Sequence, residues 1–306
     1  MKFNNLMKGG SFMNKSRLFK TFATLVLIFV FAYIFLKNNQ ATQTTQVSAF
    51  VDETKYEVYS GRQAYEYYRS ILNESEKVLY DELKESYLQF RSTFSTTLDE
   101  IKSKELKNAF SAVILDHPEI FWIDSYSSIG DIFTGTINTN MVIRLRYTFT
   151  KEEALKIKEE IEPKYKEIIR EAEKYRSDEK KVKYVHDKLI EISTYTGYTY
   201  SQKDKFQSFV SIFETGDTVC AGYSYGFKFI MDNLGIPSIS VENIDSTDSS
   251  QSHIWNKVLL NGKWYNLDIT WDAQLSNDNE VSYKYYLLDN NEFYKVHQKP
   301  NIIINE

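Results

Sequence analysis

From Gln63 to about Leu115, apolar residues recur at helical spacing in three groups: Tyr65, Tyr68 and Leu72; Leu79, Leu83 and Leu88; and Leu98, Ile101, Leu106 and Phe110. Such a period predicts three helices, the last ended by His117 and Pro118. Phe121 to Tyr126 and Met141 to Phe149 read as strands, the second alternating Val142, Arg144 and Arg146 against Ile143, Leu145 and Tyr147. Thr150 and Glu153 have capping-box spacing and open a charged helix to about Tyr175, with a kink expected at Pro163. Ser177 begins another helix, with Val182, Val185 and Leu189 on one face. His186 and Asp187 lie in it as chain neighbours about 100° apart, which favours a packing or surface role over a catalytic pair.

A longer apolar run stands at the N-terminus. Thr21 to Leu36 carries no charge, and with Leu18, Phe19 and a snorkelling Lys20 the span reaches 19 residues, within the roughly 17–25 needed to cross a bilayer. Lys15, Arg17 and Lys20 precede it, which places residues 1–17 in the cytoplasm, 18–37 as a signal anchor and the rest outside the cell. The alternative is secretion after cleavage near Ala49, where Val47, Ser48 and Ala49 give a small-residue pattern, but that site lies 13 residues beyond Leu36. Residues 38–55, rich in Gln, Thr and Asn, read as a polar stalk. Lys8 to Met13 is what a purine-rich ribosome-binding site and a start codon would encode in frame, so translation is expected to begin at Met13; intact-mass measurement of the native protein tests this.

Composition narrows the function classes. Of 306 residues, 42% are hydrophobic and 26% charged, with 11 Gly and 4 Pro, which excludes collagenous and low-complexity architectures. Residues 1–49 hold six basic residues and no acid, leaving 31 basic against 42 acidic residues, or −11, for the remainder. An acidic ectodomain without a basic cluster argues against nucleic acid as a partner. A single cysteine excludes an internal disulfide and a thiolate-rich zinc site, so Cys220 is a buried small residue, an intermolecular bridge or a reactive thiol.

Cys220 stands at a predicted helix start. Phe227, Ile230, Met231 and Leu234 follow at inward spacing, Gly235 is the stop and Pro237 prevents continuation. A helix N-terminus favours thiolate over thiol, and its free N–H groups can donate to an oxyanion. Ser252 to Leu260 reads as a strand, Asn261 and Gly262 as a two-residue hairpin turn, and Lys263 to Asp268 as the returning strand. In that register Leu260 pairs with Lys263 and His253 faces position 270, so Asp268 is its diagonal neighbour. Cys220, His253 and Asp268 thus form a candidate nucleophile, base and orienting carboxylate. Trp255 could wall the cleft, while Trp264 and Trp271 read as core.

Val219 to Ser224, Leu234 to Pro237, His253 to Asn256 and Gly262 to Asp272 resemble the transglutaminase-like superfamily, especially its branch near the kyphoscoliosis peptidase and yeast cytokinesis proteins. Ile254 stands where that family usually has Ala. The resemblance covers roughly residues 178–295 and implies a papain-like, α+β fold: a Cys-bearing helix packed on an antiparallel β-sheet, here as a catalytic domain over 178–306; the apolar patterns place before it a mainly helical module with a small sheet over 56–177 and an N-terminal transmembrane helix. The resemblance implies acyl transfer through a thioester on a glutamine carboxamide or peptide bond, with no cofactor, and the anchored outward orientation suggests a protein or cell-wall peptide as substrate. Tyr285 to His297 resembles the family's closing segment, and His297, which follows the hairpin, reads as structural. Two other readings stay open: a non-catalytic surface scaffold, and a metal site on Cys220, His253 and Asp268, which lacks a convincing fourth ligand.

Overall fold

The computed structural model describes residues 64–124, 136–138, 143–197, 207–244, 252–277 and 279–300. The anchor expected over 18–37 and the stalk over 38–55 lie outside these residues. Among the described residues, no helix is long and apolar enough to cross a membrane.

Three helices open the described chain: α1 (Tyr67–Ile71), α2 (Glu74–Leu88) and α3 (Ser103–Asp116). Asn73 and Glu76 form a capping box for α2, exchanging bonds of 2.9 and 3.0 Å. Leu98 and Ile101, expected in the third helix, precede it. Ile101 belongs to a short strand, β2 (Glu100–Lys102), paired antiparallel with β3 (Thr136–Asn138). A three-residue strand buries one apolar side chain as well as a helical turn would, so spacing alone could not separate them. The strand expected over Phe121 to Tyr126 reduces, within the described residues, to one bridge between Ile123 and Tyr147. Phe121 and Trp122 turn instead into an aromatic cluster with Phe90, Phe149 and Phe209. Within the described part of the second expected strand, β4 (Ile143–Arg144) forms against β1 (Thr93–Phe94), and Tyr147 makes the bridge to Ile123.

The Thr150 capping box is present, and α4 (Lys151–Ala172) continues through Pro163. Next, α5 (Asp178–Glu191) buries Val182, Val185, His186 and Leu189. After β5 (Thr194–Tyr195), α6 (Val210–Glu214) and β6 (Asp217–Thr218), the chain enters α7 (Cys220–Leu234). The apolar pattern of α7 predicts one inward face, but all its residues are buried, because it is enclosed by α4, α5 and α6 as well as the sheet.

That sheet is an antiparallel meander of β7 (Ser238–Asn243), β8 (His253–Leu260) and β9 (Lys263–Leu267). Leu260 pairs with Lys263 across Asn261 (φ 51°) and Gly262 (φ 76°), the two positive values a type I′ turn requires. Buried polar bonds pin α7 to the central strand: Asn256 Nδ2 donates to the Ser224 carbonyl and Ser224 Oγ to the Trp255 carbonyl, each at 3.0 Å. At the start of α7 no side chain fits at Gly222. A Cβ there would collide with Thr218 Oγ1 and lie 2.6 Å from Ser211 Oγ.

The core runs without a break from Tyr68 to Phe293. The segment before α1 is fastened to the far end of α7, where Lys228 Nζ pairs with both Asp232 oxygens (2.8 and 2.7 Å) and donates to the Tyr65 carbonyl, while Tyr65 N–H donates to Asp232 Oδ1 (3.1 Å). Lys228 is fully buried. Removing one partner strands a buried charge, so Asp232→Ala is expected to destabilise the protein by about 3 kcal/mol. Denaturant unfolding checks this; a loss below about 1 kcal/mol would show that water relieves the lysine.

Candidate active site

Cys220 is the first residue of α7 and is 7% exposed. Val219 occupies the N-cap and offers no side-chain hydrogen bond, so the first-turn N–H groups are not consumed by a cap. They stand where a thiolate, or an oxyanion formed beside it, would gain from them.

Across from it, His253 Nε2 lies 2.6 Å from Asp268 Oδ2, and the His253 ring is near enough to Cys220 for the two to interact electrostatically. With Nε2 turned to the carboxylate, Nδ1 is the nitrogen left for the thiol. The structure therefore brings Cys220, His253 and Asp268 together. It does so by a different route from a simple strand pair: β9 ends at Leu267, and Asp268 is the N-cap of α8 (Ile269–Leu275), its Oδ1 accepting Trp271 N–H at 3.0 Å. The cap fixes one oxygen and presents the other to His253.

Electrostatics follow from that geometry. Burial works to lower the affinity of His253 for its proton, but the Asp268 charge and hydrogen bond, helped by Cys220, raise its pKa from 6.5 to about 10. Complete burial works to raise Asp268, yet the charge and hydrogen bond of His253, followed by His297, hold it down at about 2.

His297, read from the chain as structural, is a direct partner of the site: its Nε2 lies 2.8 Å from Asp268 Oδ2, the oxygen that His253 uses. The segment leading to it folds back on β9. Leu288 and Asn266 exchange backbone bonds of 2.8 Å, and the Tyr285 carbonyl accepts Asp268 N–H at 3.0 Å. Trp271, expected as core, is half-buried and stacks 5.4 Å from His253 and 3.8 Å from His297. Trp255 is buried, 6.2 Å from His253. The resemblance of Tyr285 to His297 to a closing segment was the one available signal for this end of the site.

His186 needs a second correction. Although adjacent in α5, His186 Nδ1 and Asp187 Oδ1 do meet, at 2.9 Å, because the short carboxylate folds back along the helix surface. His186 Nε2 lies 3.3 Å from Asp272 Oδ2, and Asp272 Oδ1 accepts from Ser282 Oγ (2.9 Å) and Tyr285 N–H (3.1 Å). This buried cluster holds the body of α8 one turn behind Asp268. The predicted packing role of His186 fits that position, and the cluster is separate from Cys220.

Among the described residues, His253, Asp268 and His297 are close enough to share a cation, with candidate ligand atoms within 4.8 Å of one another. Both imidazoles, however, direct Nε2 at one carboxylate oxygen over hydrogen-bond distances. A hydrogen bond from each imidazole to the shared carboxylate oxygen accounts for both contacts.

Residues 166–269 match the transglutaminase-like superfamily. The match contains Cys220, His253 and Asp268 and stops short of His297. No curated protein matches the chain. Among solved structures, the chain is similar to a TGase at 21% identity (TM-score 0.34, covering 45% of this chain and 37% of that one). It is similar at 20% to a candidate cysteine protease from Cytophaga hutchinsonii (TM-score 0.29, 35% and 36%), and at 17% to the periplasmic domain of TgpA from Pseudomonas aeruginosa bound to ethylmercury (TM-score 0.28, 36% and 44%). The chain thus spans less than half the length of each.

Proposed function

Starting from a transglutaminase-like segment of mixed helices and sheet, we propose that this chain is a cysteine-dependent acyl-transfer enzyme, anchored by residues 18–37 and working on protein or cell-wall peptides outside the cell. The observation that carries the reading is the 2.6 Å contact of His253 with fully buried Asp268, on a histidine that also engages a cysteine at a helix N-terminus. A packing cysteine needs neither.

The Cys220 thiolate attacks the carbonyl carbon of a glutamine carboxamide or peptide bond, forming a C–S bond while the carbonyl electrons move to oxygen. First-turn N–H groups of α7 support that oxyanion. As the C–N bond breaks, His253 passes its proton to the departing ammonia or amine and a thioester remains. Water or an incoming amine then attacks, His253 takes its proton, and the thiolate leaves. Water makes the enzyme a peptidase or amidase; a lysine amine makes it a transglutaminase. Asp268 holds the imidazole ring throughout.

Activity should then have a falling limb at high pH. His253 is the group whose folded pKa is raised, so its charge, and the stability it lends, is complete below about 6.5 and lost as pH rises through about 10. Asp268 is the depressed one, and its contribution is lost only as pH falls through about 2. The expected result is that alkylation of Cys220 by iodoacetamide is fast at pH 6 and that kcat/KM, assayed with glutamine peptides and an amine probe, declines near pH 10. A curve in which alkylation only rises near about 8.5, as for a free thiol, and which His253→Ala overlays, would favour the scaffold reading.

A further inference from the structure

Resting on that acyl-transfer reading, we infer that His297 is a positioning residue for the triad: its Nε2–H shares Asp268 Oδ2 with His253 and limits how firmly the carboxylate grips the His253 proton. Three donors meet the carboxylate, with Trp271 N–H on Oδ1 at 3.0 Å and the two imidazoles on Oδ2 at 2.6 and 2.8 Å. Asp268 is fully buried, so no water competes for these positions. A carboxylate oxygen that already accepts one hydrogen bond has less charge to offer a second.

The His297 ring is built to face that oxygen. It is sandwiched between Phe293 (3.7 Å, 17°) and Trp271 (3.8 Å, 28°), with the Tyr285 ring edge-on at 5.3 Å. Its side chain is 1% exposed. Nε2 must carry the hydrogen to face a carboxylate, and Nδ1 is buried with no partner among the described residues. A ring serving only as filler would do as well as phenylalanine, without a buried nitrogen left unsatisfied. Packing explains the sandwich; only the Asp268 contact explains an imidazole in it.

The consequence for chemistry is direct. An imidazolium held too tightly by its carboxylate is a poor acid toward the leaving amine, and one held too loosely is out of position. Sharing Oδ2 sets an intermediate grip while Trp271 N–H keeps the carboxylate still. The titratable groups facing this relay are Cys220 from α7, which interacts with His253; Tyr195 from β5, which senses the charges of Cys220 and Asp268; and Tyr225 from α7, which senses Cys220. Tyr285 also faces the relay, with its ring edge-on to His297 at 5.3 Å, and the His253 and His297 rings lie 6.0 Å apart, while the hydrogen-bonded link from His297 to the relay is the 2.8 Å contact with Asp268.

The test uses the full-length chain, whose only cysteine makes iodoacetamide a site-specific reporter. His297→Phe keeps the aromatic sandwich and removes the donor; His297→Gln keeps an N–H near the Nε2 position and removes the ring. The expected result for His297→Phe is a falling limb of the kcat/KM profile moved up by about half to one pH unit, with kcat on a glutamine peptide and amine probe lowered about tenfold and KM within about twofold. His297→Gln should restore at least half of both changes. A His297→Phe limb within about 0.2 pH unit of wild type, or a His297→Gln profile displaced as far as that of His297→Phe, overturns the inference. Nitrogen-15 histidine spectra of the wild-type chain give a readout that needs no variant: His297 Nε2 should be protonated at neutral pH, and a bare Nε2 overturns the inference. A wild-type profile indifferent to His253→Ala sinks the acyl-transfer reading and this inference together, whereas a His253-dependent profile that His297→Phe leaves in place sinks this inference alone.

Discussion

Replacing Cys220 with alanine is expected to reduce acyl transfer to the uncatalysed background while leaving the fold in place. Cys220 is the sole thiol, so no neighbouring cysteine can substitute for it, and covalent labelling by iodoacetamide should vanish with the activity. The structural cost is small: alanine suits the first position of a helix, and one buried sulfur leaves a cavity worth about 1 kcal/mol. Loss of turnover with a melting temperature within a few degrees, about what 1 kcal/mol shifts in a domain of this size, would separate a chemical role from a packing one. Turnover above a trace in the folded variant would remove Cys220 as nucleophile.

Asp268→Asn should have the second largest effect, through two routes that a pH series can separate. The Asp268 charge and hydrogen bond are the causes that lift His253 to about 10 against burial, so the neutral amide lets the falling limb drop back toward 6.5. With the amide oxygen kept on Trp271 N–H, the amide N–H groups confront both imidazoles at the former Oδ2 position, so the His253 ring loses its fixed orientation. We expect kcat to fall about a hundredfold or more, with KM little changed. The N-cap of α8 should survive, because asparagine caps as well as aspartate. A falling limb still near 10 would mean that another carboxylate supports His253, and Asp272, one turn along α8, would be the first to replace.

The order of elements around the chemistry was legible in the chain because each was specified locally. Asn261 and Gly262 demand a turn with two positive φ values, which fixes the register of β8 against β9. Gly235, at φ 66°, ends α7 fifteen residues after Cys220 begins it, and Thr150 with Glu153 opens α4. These signals act within four residues or less and need no tertiary partner. They placed Cys220 at a helix start and His253 within a diagonal of Asp268, which is why the three candidate residues could be named from the sequence.

What only the tertiary structure decided involves residues far apart in sequence. Asp268 could be read as the end of a strand, but it is a helix cap, since the ladder gives way where Tyr285 takes over its backbone N–H. His297 is 29 positions from Asp268 and reaches it only once residues 285–288 have paired with β9 and the ring has slid between Phe293 and Trp271; no local period encodes that closure. Ile101 could satisfy either a helical or a strand period, and the choice fell to its partner Ile137. The all-round burial of α7 likewise came from the elements that surround it. Local pattern specifies turns, caps and faces through short-range sterics and hydrogen bonding, whereas the sharing of one carboxylate oxygen by two imidazoles depends on long-range packing that has no sequence period.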